Sequence, residues 1–173
     1  MAKLPWFDRT FSFDFHVHTW PDVVERFRGL PARIDDKVRN LPAAALTWSD
    51  GGWTIQENIG HLLELEKVFG GRIEDYKAGK PTLRAADLEN KATKEAHFNQ
   101  RSIADLCREL RTERERHAQM LDALSDSDFA RVAEHPRLKQ KMRLVDAVTF
   151  VCLHDDYHLA RLTELARKFA NRP

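Results

Sequence analysis

Histidine carries the most chemical potential in this chain of 173 residues, which holds eight of them. His154 and His158 lie four apart in the string HDDYH. On a helix that spacing stacks two side chains one turn apart on one face, where two imidazoles can chelate a single metal ion. Leu144, Val151, Leu162 and Phe169 define the inward stripe of this last apolar segment. His154 and His158 fall on its flank, toward the interior or its rim. The alternative is a pair of partly buried histidines bonded to carbonyls. A third ligand has to come from another element. His61 is the best candidate, at the edge of an earlier helix's apolar face beside Asn58 and Leu65, although a single helical histidine is often an ordinary surface or core residue. Three neutral imidazoles leave a coordination position open, as a catalytic site requires. Zn, Ni, Fe and Mn as divalent ions all accept such a shell.

Other groups sit near these histidines in sequence. Glu66 and Asp155 fall on or near apolar stripes, where a carboxylate needs a partner. They are read either as groups that orient the histidines or bridge helices, or as carboxylates bonded to an arginine, a Trp N–H or a helix end. Glu57 and Glu64 lie one turn either side of His61 and are candidate pocket residues, with exposed helical glutamates as the alternative. Glu57 also completes a T-x-x-E capping box with Thr54. Arg161 is a candidate for an anionic substrate group, with a surface ion pair as the alternative. Trp53 and Tyr157 are candidate pocket walls or core residues. No general base, and so no catalytic residue proper, is singled out by spacing. His16 and His18 form an H-x-H, the opening metal motif of barrel amidohydrolases. Those folds need more chain and repeated βα units, so the pair reads as part of a peripheral aromatic arm. His97, His117 and His135 are tied to no site by spacing. There is no G-x-S-x-G, Walker A or G-x-G-x-x-G string. Cys107 and Cys152 form no CxxC, which excludes a disulfide framework and a thiolate zinc site.

The elements that must position these groups are long and few. Seven glycines and seven prolines leave room for extended helices rather than many short strands. Residues 1–20 are rich in aromatics and read as an arm laid on the body. Val23, Val24, Phe27, Leu30, Ile34, Val38 and Leu41 mark a first helix, with a kink or two abutting helices at Pro31. A second helix runs from Thr54 to about Ala78, a third from Ser102 to about Leu124, and a fourth from Leu144 to Phe169. The charged RTERERH run in the third reads as a solvated face. A short β-like turn is expected around His135-Pro136. Residues 80–101 lack an apolar stripe and are long enough to span a helix. The expectation is an all-α four-helix bundle with a long crossover between helices 2 and 3 and a short N-terminal arm, one domain over residues 1–173. Lys and Arg total 28 against 27 Asp and Glu, a balance that argues against nucleic acid or an anionic membrane as partner. No apolar run reaches the ~20 residues of a membrane span, and the N-terminus lacks a signal-like apolar stretch. The cytoplasm is the expected compartment.

The strings GWTIQENIGHLLELE (52–66) and HDDYHLARL (154–162) resemble the DinB/YfiT-like family of metal-dependent enzymes. LPWFDRTFSFDF near the start and EHPRLKQKMRLVDAV before the last helix are similar to its members too. The order W-T-x-x-E-x-x-x-H, then H-x-x-x-H, carries most of the likeness. The resemblance implies a four-helix bundle with one divalent metal ion on three histidines, mapping to His61, His154 and His158. It implies frequent homodimers, and relatives that include transferases and isomerases using a low-molecular-weight thiol. The function expected is a metal-dependent hydrolase or thiol-dependent S-transferase acting on a small-molecule substrate. The alternative is a non-catalytic, metal-binding helical dimer or stress-response module.

Overall fold

The computed structural model describes residues 4–172; the first three residues of the expected arm, and Pro173, lie outside the described residues. The first helix of the bundle is built from two pieces, α1 (Trp20–Arg28) and α2 (Leu30–Val38). The break falls at Gly29. Pro31 sits in the first turn of α2, where its missing N–H costs no hydrogen bond. A single turn, α3 (Ala43–Leu46), leads to α4 (Ile55–Lys77). The Thr54 hydroxyl accepts from the Glu57 N–H, and the Glu57 carboxylate accepts from the Thr54 N–H, so the capping box is complete. At the far end Gly79 adopts φ +66°, a left-handed conformation that lets the chain leave α4 without Cβ strain.

The crossover holds the short α5 (Lys91–Glu95) and leads to α6 (Ile103–Asp122). A turn of helix, α7 (Asp126–Phe129), precedes strands β1 (Val132–His135) and β2 (Gln140–Arg143), and the chain ends in α8 (Leu144–Ala170). The strands form an antiparallel hairpin in which Ala133 faces Met142 and His135 faces Gln140. The crossover lies along β1: Leu83 N–H donates to Glu134 O and Glu134 N–H to Pro81 O. A small sheet therefore supplements the helices, larger than a turn at His135-Pro136 alone.

The bundle is defined by which helices touch. α4 packs on both α6 and α8, and α1 with α2 packs on the same two from the other side. Ile55, Ile59, Leu62, Phe69 and Ile73 of α4 are buried, as are Leu106 and Leu110 of α6, which is the apolar stripe of each helix turned inward. The expectation for RTERERH needs correction. Arg114 is 1% exposed and His117 0%, because α6 is flanked on two sides by helices and those two positions face the gap. The arm has short helical turns at 6–8 and 17–19. Trp6 is buried, and Phe11, Phe13 and Phe15 pack against the core. Among the described residues no helix is long and apolar enough to cross a membrane.

Candidate metal centre

Capping by Thr54 fixes where α4 begins, and so fixes that Asn58 and His61 face α8. There they meet His154 and His158, one turn apart. One ring nitrogen from each of His61, His154 and His158 lies within 4.8 Å of the others. The ring centroids are 5.4, 5.0 and 4.5 Å apart for the pairs 61–154, 61–158 and 154–158. His61 and His158 are buried and His154 is half-buried.

Neighbours set the orientation of two rings. The Asn58 amide N–H groups donate to the Trp53 and Thr54 carbonyls, so its Oδ1 must face His158 Nδ1, 2.8 Å away. His158 therefore donates from Nδ1, and Nε2 keeps its lone pair. His61 Nδ1 lies 3.1 Å from Thr93 Oγ1 on α5, which likewise leaves Nε2 to point inward. Burial holds the His61 pKa down to about 4, which keeps the ring in its neutral, ligating form at neutral pH. The Nε2 atoms of His154 and His158 are 3.2 Å apart. Two nitrogens bound at 2.0–2.1 Å to one tetrahedral ion would be about 3.3 Å apart. The donor set, its spacing and the His158 tautomer fit a divalent cation such as zinc.

A cavity of about 470 Å³ opens beside the three rings. Trp53 and Tyr157 line it, as does Arg161. Trp53 lies 4.7 Å from the His61 ring. The Arg161 cation is paired with Asp50 and Glu164. Glu57 is absent from the lining: its carboxylate is engaged in the α4 cap. Glu64 pairs with Lys67.

Glu66 and Asp155 bridge helices through an arginine, one of the readings these carboxylates carried. Both bind Arg114, with Nε 2.8 Å from Glu66 Oε1 and Nη1 2.7 Å from Asp155 Oδ2. The other Glu66 oxygen lies 2.7 Å from His117 Nδ1. The cluster ties α4, α6 and α8 together below the histidines. Burial opposes the Arg114 charge, but Asp155 and Glu66 more than offset that and raise its pKa. Burial pushes the Asp155 carboxyl up to about 6, with Arg114 pulling the other way. Asn58 and Thr93 instead meet the outer nitrogens of His158 and His61.

Spacing did not reveal several groups near the rings. Trp6 of the arm lies 4.8 Å from the His154 ring, centroid to centroid. Arg72, His135 and Arg137 also line the cavity. His16 and His18 stack on each other, and His18 pairs with Asp126. Burial pushes the Cys152 thiol up to about 12 and the Cys107 thiol up to about 11, so neither is a thiolate at neutral pH.

The chain is thus a capped helix bundle in which three imidazoles converge. The DinB superfamily model matches residues 20–162, and the chain belongs to that superfamily. It is 28% identical over 155 residues to the Bacillus subtilis (strain 168) protein named "Putative metal-dependent hydrolase YfiT", covering 86% of this chain and 83% of that one. It is 26% identical over 157 residues to "Uncharacterized protein YuaE" of the same organism, covering 84% and 93%. A Geobacillus thermodenitrificans (strain NG80-2) protein named "Putative metal-dependent hydrolase" is 24% identical over 152 residues, covering 85% and 80%. The solved YfiT structure, described as "a probable metal-dependent hydrolase with an unusual four-helix bundle topology", superposes with a TM-score of 0.81 at 21% identity over 94% of each chain. That likeness establishes the fold.

Proposed function

We propose that this protein is a metal-dependent enzyme acting on a small molecule in the cavity beside His61, His154 and His158, either as a hydrolase or as a thiol-dependent S-transferase. The observation that carries this reading is the convergence of three ring nitrogens within 4.8 Å at the wall of a 470 Å³ cavity. A cation that only stabilised the fold would need no such space beside it. The names of two relatives point the same way.

When bound, a divalent ion would supply Lewis acidity to polarise a substrate carbonyl or activate a water or thiol. The chain's own residues prepare the rest. Asn58 fixes the His158 tautomer through its Oδ1, and Thr93 restrains His61. Such outer partners hold ligand geometry. Trp53 and Trp6 cover the His61 and His154 rings and exclude water from that side, which strengthens electrostatic effects inside.

The test is an activity screen on untreated, chelated and metal-restored protein. Activated esters and amides are one arm, and electrophiles offered with small cellular thiols are the other. Turnover in one arm should disappear on chelation, return with metal, and be absent in His61→Ala. Turnover that persists equally in chelated protein and in His61→Ala would refute the reading.

A further inference from the structure

The cavity has a second polar region, separated from the histidines by the Trp6 ring. Trp6 contacts His154 on one side, while the Arg137 guanidinium lies 6.0 Å from its centroid. Arg137 is also 5.2 Å from the Phe7 ring and 5.7 Å from Phe150. These rings hold the guanidinium in place but do not neutralise it. Arg137 Nη2 is the one buried side-chain polar atom among the described residues without a hydrogen-bond partner.

Arg72 shares this region. Its Nε donates to the Arg84 carbonyl at 3.1 Å, and its Nη1 lies 3.1 Å from His135 Nε2. Burial holds its pKa down to about 10. Among the described residues neither Arg72 nor Arg137 has a carboxylate within 4.0 Å. The other cavity arginines are paired: Arg114 with Glu66 and Asp155, and Arg161 with Asp50 and Glu164. Asp75 is taken by Lys80 and Arg84, and Glu134 lies near Lys139. Two cations without a carboxylate in contact on an apolar wall are costly. A guanidinium fork matches a carboxylate.

We propose that the substrate carries a carboxylate, held by Arg137 and Arg72, on an apolar body that lies along Trp6 and Phe150 toward the histidines. The proposal rests on reading this cavity as the active site, and it names the substrate class.

The experiment titrates chelated protein with benzoate and with its uncharged analogue benzamide by calorimetry, so that no metal contributes to the signal. Benzoate should bind roughly tenfold or more tighter than benzamide. That preference should vanish in Arg137→Gln and persist in His61→Ala. If Arg137→Gln does not fold, as read by its melting curve, Arg137→Lys replaces it and should reduce the preference. Equal binding of the two probes by the wild-type protein would overturn the proposal. So would a preference that survives Arg137 substitution, or one lost in His61→Ala, which would place the anion on the histidines. Metal content, measured separately, keeps the two readings apart: wild-type protein that binds no metal but prefers benzoate would refute the metal reading alone.

Discussion

His158 is held from both sides of its ring: Asn58 fixes Nδ1 at 2.8 Å, and His154 lies 3.2 Å from Nε2. Removing the Asn58 amide frees the ring to rotate and to exchange tautomers. Asn58→Ala should therefore weaken metal affinity by about 10–100-fold while leaving three histidines in place. Competition with a chromogenic chelator reads this directly, and unchanged affinity would show that the ring needs no such restraint. The histidine pair was legible in the sequence because four residues make nearly one helical turn, and periodicity placed His61 at a helix edge. Asn58 was visible only as a neighbour of His61 on the wheel. Thr93 and Trp6 were not legible, because both come from segments without periodicity. Their positions depend on how the crossover and the arm fold back, which local spacing does not encode.

Helices α4, α6 and α8 are joined by a buried cluster of charge. Arg114 serves two carboxylates at once, Glu66 and Asp155, and its guanidinium lies 3.9 Å from the Phe27 ring. Arg114→Met leaves both carboxylates in the interior without a cation, and should cost about 3–5 kcal/mol in urea unfolding. A cost under about 1 kcal/mol would mean the cluster behaves like a surface pair. α4 can approach His117 only because residue 70 is glycine. A Cβ there would lie 2.1 Å from His117 Nε2. Gly70→Ala should therefore destabilise by about 1–3 kcal/mol through overpacking, checked by the same unfolding curve. The charged run in α6 shows why this cluster was hidden. Composition marks RTERERH as solvated, but at 3.6 residues per turn a helix between two neighbours must turn some of those positions inward. Burying Arg114 then requires acidic partners from α4 and α8. Glu66 and Asp155 stood out as carboxylates on apolar stripes, and an arginine was among the partners foreseen for them. Which one is settled only by the packing of three helices.

The whole molecule is a four-helix bundle whose long connection does more than span a distance. It runs along β1 and delivers Thr93 to His61. The helices and the crossover length were readable from stripes and breaks, whereas the hairpin, built on only four residues per strand, was foreseen only as a turn. Its His135 supplies a test of stability against pH. Burial, with Arg72 and Arg137 beside the ring, holds its pKa down to about 3 from 6.5. Below about pH 6.5 the unfolded chain takes up a proton that the folded ring refuses. Stability is therefore lost as pH falls from about 6.5 toward 3. Between pH 7 and pH 5, His135→Gln should lose less stability than wild type, by up to ~2 kcal/mol. His61 is common to both proteins and cancels in the comparison. Parallel losses would place His135 in water.

The proposed chemistry requires that three imidazoles from α4 and α8 grip one cation. Elemental analysis of protein purified without added metal or chelator, beside His61→Ala, His154→Ala and His158→Ala variants of normal helical content, tests it most directly. Close to one divalent ion per wild-type chain is expected, with a large loss in each variant. Wild-type protein that neither carries nor takes up a divalent ion, or variants that retain it undiminished, would contradict it.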